Sequence, residues 1–178
     1  MESKKGYHGL PLQYTRCAHM FIVGFTGTFD EAKQIKQNIN LFLRTELILD
    51  ISPNINEPVA ANEGVKFLGV DIKVLPYEED PSIIRLEADL KDVITKLREA
   101  GFCDKQGKPI PHFAFYDLTH NNIIECYNEA LEGILAYFRF AKNYNDLGFT
   151  VQSILINSCA ILLAAKFGLG TTQAVYRK

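Results

Sequence analysis

The sequence predicts an α+β protein, in which a small antiparallel sheet with one packed helix is followed by a bundle of helices. In residues 1–76, short alternating apolar segments surround a single stretch of helical spacing. After residue 81, apolar residues recur at helical spacing over three long stretches. The acidic segment 77–81, flanked by prolines, separates the two patterns and is predicted to be a linker between domains 1–76 and 82–178.

Composition and charge limit the classes of protein that the chain can belong to. With 178 residues, 47% hydrophobic and 22% charged, it is long and apolar enough for a globular core. Its net charge of −2 lacks the basic excess typical of nucleic-acid-binding proteins. From Gly133 onward, however, basic residues outnumber the single acid, Asp146, so we expect any anionic partner at that end.

The cysteines and the apolar runs exclude several further classes. The four cysteines are far apart in sequence and no histidine lies at metal-ligand spacing, which predicts reduced thiols without a zinc site or disulfides. No secretory signal is visible. The most apolar run, residues 154–165, is too short to cross a bilayer, so we expect no membrane insertion.

The first half predicts a hairpin, a helix and two strands. Residues 10–16 and 21–25 alternate as strands across a tight turn at residues 17–20. Thr28 and Glu31 form a capping box that starts a helix ending near residue 44. Residues 46–51 and 65–75 are predicted strands, and Gly69 in the second lets the backbone approach a neighbour closely.

The second half predicts three helices. Ser82 caps a helix over residues 82–100, and Gly101 ends it in the left-handed conformation. Thr119 begins a helix that extends to about residue 143. Residues 147–167 are apolar on nearly all sides, which predicts a final helix packed between other elements.

Candidate chemical groups are few. His19 lies in the predicted turn without a nearby carboxylate, and such a histidine is more often structural than catalytic. The group His112, Asp117 and His120 surrounds a helix start, where packing and capping are favoured over metal binding. An aromatic stripe around Arg139 can either stack RNA bases or fill a core, and helical spacing favours the core. From the residues alone, the sequence identifies no catalytic site, metal site or cofactor site.

Several segments, in order, resemble the group II intron maturases, which are intron-encoded reverse transcriptases. The matching segments are Phe21-Ile-Val-Gly24, Thr26-Gly27, Asp30-Glu-Ala-Lys-Gln-Ile-Lys36, Phe42-Leu-Arg-Thr-Glu-Leu47, Phe67-Leu-Gly-Val-Asp-Ile72, Lys96-Leu-Arg-Glu-Ala-Gly-Phe-Cys103, Tyr137-Phe-Arg-Phe-Ala-Lys-Asn143 and Ser158-Cys-Ala160. The resemblance implies that residues 1–76 correspond to the end of a reverse-transcriptase palm. It implies that residues 82–178 correspond to the thumb and the maturase domain.

One departure from the family pattern concerns catalysis. Where the family carries Tyr-Ala-Asp-Asp, this chain has Cys17, Ala18, His19 and Met20. Magnesium prefers oxygen ligands, and none of these side chains supplies a carboxylate. The resemblance therefore implies a protein that is not a polymerase and needs no metal or cofactor.

A second departure concerns RNA binding. The basic run expected after Ser-Cys-Ala is replaced by the mostly apolar residues 161–168, of which only Lys166 is a cation. Ile161 and Phe167 are residues expected where a surface has become a protein interface. The candidate RNA-binding residues at this end of the chain are Arg139, Lys142, Lys166, Arg177 and Lys178.

The resemblance implies two functions. The first is a non-catalytic cofactor for group II intron splicing in an organellar ribonucleoprotein. The second is a structural subunit of the mitochondrial ribosome, with ribosomal RNA and protein contacts. In both cases the expected partners are RNA and other proteins of a large ribonucleoprotein, and the expected compartment is the mitochondrion.

Overall fold

A computed structural model describes residues 12–49, 57–75 and 83–177 of the chain. Several predicted features lie outside the described residues. They are the lead-in before residue 10, the whole linker 77–81 with Ser82, the end of the strand predicted at 46–51, and Lys178. The described part contains four α-helices and two small sheets, which confirms the predicted α+β class. The chain divides into two compact units, residues 1–67 with 73–83 and residues 68–72 with 84–178.

The first unit begins with the predicted hairpin. Strands β1 (Gln13–Cys17) and β2 (Met20–Gly24) pair antiparallel, and Cys17 and Met20 form the last pair before a two-residue turn. Ala18 in that turn has φ of 51°, which is a left-handed conformation uncommon for a residue other than glycine. The Arg16 Nε donates to the Ala18 carbonyl at 2.7 Å across the turn.

Helix α1 (Phe29–Thr45) follows and starts as predicted. The Thr28 hydroxyl accepts from the Glu31 backbone N–H at 3.3 Å, and the Glu31 carboxylate accepts from the Thr28 backbone N–H at 2.8 Å. The hydrogen bonds that the carboxylate accepts from the Thr28 backbone N–H and from the Thr28 hydroxyl hold the pKa of Glu31 below its ordinary value. Although α1 is amphipathic in sequence, none of its residues is buried.

The described part of the strand predicted at 46–51 does not form a strand. Residues 46–49, which are its described part, lie in a turn and irregular chain after α1. Leu47, Ile48 and Leu49 are each at least half exposed, and Ile48 adopts φ of 52°. The first sheet contains only β1 and β2, so these residues have no described neighbouring strand to join.

The single strand predicted at 65–75 is instead a hairpin. Strands β3 (Val65–Phe67) and β4 (Val70–Leu75) are joined by Leu68 and Gly69, both with positive φ. Two residues with positive φ form the tight two-residue turn that is common in β-hairpins. The second sheet has the order β3-β4-β5, where β5 is Ile83–Ala88.

The helix predicted over 82–100 is wrong in its first part, because Ile83–Ala88 form strand β5. Its sequence begins with two β-branched isoleucines, and β4 supplies a strand to pair with. The helix α2 (Leu90–Glu99) starts later, because the Asp89 carboxylate caps it by accepting from the backbone N–H groups of Lys91 and Asp92. Gly101 follows with φ of 85°, as predicted for the residue that ends the helix.

Helices α3 (His120–Tyr137) and α4 (Tyr144–Lys166) pack on each other and form most of the second unit. Thr119 caps α3 as predicted, by accepting from the Asn122 backbone N–H. The helix ends six residues earlier than residue 143, where we predicted its end. The residues between 137 and 144 form a turn into α4, which begins three residues before its predicted start.

Helix α4 is the central element of the second unit. Nine of its residues are buried, namely Leu147, Val151, Ile154, Leu155, Ser158, Ala160, Leu162, Leu163 and Ala164. By length and composition alone, the whole helix is long and apolar enough to cross a membrane. The apolar run 154–165, on which we based the expectation of no membrane insertion, is only part of this helix. Half of its most apolar stretch is buried inside the protein, which is typical of a core helix in a globular domain.

A buried polar network crosses the core. The Ser158 hydroxyl donates to the Ile110 carbonyl at 2.6 Å and lies 2.8 Å from the Tyr127 hydroxyl. Because serine has one proton, Tyr127 is the donor to Ser158. Burial raises the pKa of the Tyr127 phenol, which keeps that proton in place. The network fastens the loop around Ile110 to both α3 and α4.

Candidate RNA-binding surface

The structure places two of the five predicted RNA-binding residues on one turn. Arg139 and Lys142 are both exposed and lie between α3 and α4. Neither side chain forms an ion pair or hydrogen bond with another described residue. Phe140 between them is 51% exposed, so the turn presents an aromatic ring beside two cations.

Backbone contacts with β5 hold one side of this turn in place. The Lys142 backbone N–H donates to the Leu86 carbonyl at 2.8 Å. The Asn143 amide accepts from the Ala88 N–H at 2.8 Å and donates to the Ala88 carbonyl at 2.9 Å. Asn143 thereby pairs with Ala88 as a neighbouring strand would. Sequence reasoning missed this residue, and no spacing pattern marks it.

Aromatic anchors hold the other side. Phe138 is 5% exposed and belongs to the core, while the Tyr137 hydroxyl donates to the Leu68 carbonyl at 3.0 Å. A Cβ on Gly69 would lie 3.7 Å from the Phe138 ring and 3.0 Å from the Asp92 carboxylate. The predicted close approach at Gly69 is therefore confirmed. The aromatic stripe around Arg139 is divided between core and surface.

Lys166 occupies a different place and has a different role. Its ammonium group donates to the Tyr116 carbonyl at 2.5 Å and to the Leu118 carbonyl at 2.7 Å. It also lies 5.5 Å from the centroid of the Tyr116 ring. Because α4 contains 23 residues, Lys166 is roughly 35 Å along the helix from the α3–α4 turn. The structure thus separates Lys166 from Arg139 and Lys142.

The last two predicted residues, Arg177 and Lys178, follow α4 in the sequence. Arg177 ends a short 3-10 helix, Thr172–Arg177, which contacts α4. Lys178 lies outside the described residues.

Three of residues 161–168, where the resemblance implies a basic run, are interior, and the other five are half-buried or exposed. Leu162, Leu163 and Ala164 are buried in the core of their own unit. Ile161 is half-buried and Phe167 is 49% exposed. The protein interface expected at Ile161 and Phe167 stays a prediction.

The hairpin turn where the resemblance implies a magnesium motif carries no carboxylate. Cys17, His19 and Met20 are all exposed, and none of them is a carboxylate. Within residues 12–49, 57–75 and 83–177, no three His, Cys, Asp or Glu side chains lie close enough together to hold a metal ion.

Comparison with known protein families matches residues 82–178 to the type II intron maturase model. The COX1/OXI3 intron 2 protein of Saccharomyces cerevisiae is 31% identical, over 93% of this chain and 21% of that protein. The group II intron-encoded protein LtrA of Lactococcus lactis is 25% identical, over 87% of this chain and 28% of that protein. The mitochondrial protein ymf11 of Marchantia polymorpha is 35% identical, over 53% of this chain and 13% of that protein.

The chain thus spans less than a third of the length of each of these relatives. The matched segment 82–178 comprises more than half of the chain and contains the α3–α4 turn, the buried network and α4. On this match, the chain belongs to the type II intron maturase family.

Proposed function

We propose that this protein is a non-catalytic RNA-binding factor that assists the splicing of a group II intron in a mitochondrial ribonucleoprotein. The observation that carries the proposal is the α3–α4 turn. There Arg139 and Lys142 are exposed without ion-pair partners among the described residues, within the segment that matches the maturase family. Two free cations at a fixed position are suited to contact adjacent phosphates of an RNA backbone.

The rigidity of the turn supports this role. Hydrogen bonds to Leu86 and Ala88 fix its backbone on one side, and the buried Phe138 anchors the other. A turn that is already ordered loses little conformational entropy when it binds. The exposed Phe140 ring offers a surface on which an unpaired base can stack.

The absence of catalysis is part of the proposal. Phosphoryl transfer by two metal ions needs carboxylate ligands, and the turn between β1 and β2 has cysteine, alanine, histidine and methionine where the family has Tyr-Ala-Asp-Asp. We expect the purified protein to extend no primer. Primer extension above the background of a mock purification would contradict this part of the proposal.

The proposed mitochondrial location rests on the relatives. Two of them are named as a COX1 intron protein and a mitochondrial protein. We extend that location to this chain, together with assembly into a ribonucleoprotein that contains other proteins. We also assign α4 to the core of a globular unit and not to a membrane, because half of its most apolar stretch is buried.

A structural subunit of the mitochondrial ribosome is the alternative. It would be favoured by a protein interface at the end of α4, where Phe167 is exposed, although Leu162, Leu163 and Ala164 are covered by the protein itself. Sedimentation of the native protein, with sequencing of RNA crosslinked to it by ultraviolet light, separates the two functions. Intron RNA in small particles supports the splicing role. Ribosomal RNA in ribosomal particles would instead make the chain a ribosomal subunit.

The binding surface itself is tested with an Arg139→Gln and Lys142→Gln double variant. For the crosslinked RNA, we expect weaker binding and a slope of log affinity against log salt that is shallower by about 0.7 to about 1 per lost phosphate contact. The matched control replaces Lys105 and Lys108, which are exposed on another loop of the same unit. An equal loss of slope in the control would mean that the turn has no special role.

A further inference from the structure

A cavity of about 250 Å³ opens at the C-terminal end of α4, far along that helix from the α3–α4 turn. It lies among the start of α3, the end of α4 and the chain that follows α4. The residues that line it are His120, Leu163, Phe167, Leu169 and Val175. The lining is therefore apolar apart from one imidazole.

Two rings form accessible walls of this cavity. The centroids of the His120 and Phe167 rings are 5.8 Å apart, with their planes inclined at 58°. Phe167 is 49% exposed and His120 is also exposed, whereas Leu163 at the base is 4% exposed. The two rings and the aliphatic Leu163 give the cavity a lining of the kind that suits a flat aromatic ligand.

Lys166 fixes one of these walls. Its bonds to the carbonyls of Tyr116 and Leu118 immobilise the loop that leads into Thr119, the cap of α3. His120 is the first residue of that helix and is held in position by the same cap. Lys166 is thus a positioning residue for the cavity, and its neighbour in sequence, Phe167, supplies the surface for contact.

Charges of both signs surround the cavity. The positive end of the α3 dipole lies at His120 and the negative end of the α4 dipole lies at Phe167. The Lys166 ammonium contacts the carbonyls on both sides of Asp117, so a cation and an acid lie in the same loop region. The aromatic and apolar lining, and not a net charge, therefore defines the ligand as flat and aromatic.

We propose that this cavity accepts a single unstacked base of the bound RNA, with the base stacked on Phe167 and bordered by His120. This inference rests on the proposed RNA-binding function and adds a second contact point at the opposite end of α4. Proteins that recognise single-stranded RNA commonly stack bases on phenylalanine and histidine rings. The cavity would bind an unpaired base, while the α3–α4 turn would bind phosphates of the RNA backbone.

The test uses the purified full chain and a single-stranded RNA dodecamer that carries one 2-aminopurine, whose fluorescence reports stacking. Phe167→Leu keeps an apolar side chain and removes the ring, so affinity should fall by about fivefold to about a hundredfold. Phe167→Tyr keeps the ring and should bind as the unmodified protein does. The matched control is Phe149→Leu on the same helix, where the ring is 78% exposed and lines no part of the cavity.

Any of three results with the variants would overturn the inference. They are unchanged binding by Phe167→Leu, equal losses by Phe167→Leu and Phe149→Leu, and an equal loss by Phe167→Tyr. Thermal melting of each variant shows that the fold is retained. The readout is distinct from that of the turn, because Phe167→Leu should leave the salt slope unchanged whereas the Arg139 and Lys142 variant should change it. Adenosine 5′-monophosphate that shifts no NMR signal of His120 or Phe167 would also contradict the cavity as a base site.

Discussion

The two units of this chain hold their apolar side chains in different ways. All eighteen buried hydrophobic residues of the described chain lie in the second unit, from Val70 to Ala164. In the first unit, Leu41, Phe42 and Ile48 are each more than half exposed. The first unit is therefore shaped by local interactions, a hairpin register and a helix cap, while the second is shaped by a core.

This difference indicates which part of the sequence can specify a structure by itself. The family match begins at residue 82, and the main segment of the second unit begins at residue 84. The segment that the family model matches is thus almost the same as the segment with a packed interior. Since buried apolar area is the dominant stabilising contribution to folding, we expect the second unit to be more stable than the first.

The largest effect should come from a matched pair of leucine truncations. Leu155 in α4 is 1% exposed and Leu41 in α1 is 62% exposed. Leu155→Ala should lower the free energy of unfolding by about 2 to 5 kcal/mol, because it leaves a cavity in a packed core. Leu41→Ala should change it by less than about 0.5 kcal/mol. Urea denaturation followed by circular dichroism measures both, and equal losses would remove the distinction between the units.

A smaller effect should follow from breaking the buried network. Ser158→Ala leaves the Ile110 carbonyl without its donor and the Tyr127 hydroxyl without its acceptor, at a cost of about 1 to 3 kcal/mol. Ser153→Ala, on the exposed side of the same helix, is the control and should be nearly neutral. A neutral Ser158→Ala would mean that apolar packing alone holds the loop at Ile110.

The same network predicts a dependence on alkaline pH. The pKa of Tyr127 is raised in the folded protein by burial, so its neutral form is favoured there. The stability that this provides is complete below the ordinary tyrosine pKa and is lost as pH rises through the raised pKa. Tyr127→Phe should therefore flatten the alkaline part of a plot of stability against pH. An unchanged plot would contradict the assignment.

The smallest effect concerns the cap of α1. Thr28→Ala removes the capping box and should cost about 1 kcal/mol of local helix stability, visible as faster hydrogen exchange in the first turn of α1. The lowered pKa of Glu31 also predicts a pH dependence. The stability that the ionised carboxylate contributes is present above the ordinary carboxylate pKa and is lost as pH falls through the lowered pKa. Exchange confined to α1 supports a unit held by local bonds, whereas faster exchange in α4 would contradict it.

The features predicted correctly from sequence were those with local causes. The capping box at Thr28, the cap at Thr119 and the left-handed Gly101 each depend on residues within one or two turns. Strand β5 was missed because its strand conformation depends on β4, a partner in the second sheet. The end of α3 was missed for a similar reason, since Asn143 pairs with Ala88, 55 residues away.

The candidate site was only partly predictable. Arg139 and Lys142 were identified by their charge and the family motif, and the structure places both on one exposed turn. Lys166 was chosen on the same grounds, yet it donates to carbonyls about 50 residues earlier in the chain. A long flexible side chain can reach many partners, and sequence spacing does not show which one it meets. The binding role of all these residues stays a prediction.

The left-handed conformation at Ala18 has a consequence for the substitutions that the hairpin turn tolerates. At a φ of 51°, glycine and asparagine fit easily, alanine is strained, and β-branched side chains are disfavoured. Its neighbours Cys17, His19 and Met20 are exposed and carry no such constraint. Position 18 is thus restricted by backbone shape, while the positions beside it are free to vary. The turn of residues 17–20 thus keeps its form without a carboxylate at any of its four positions.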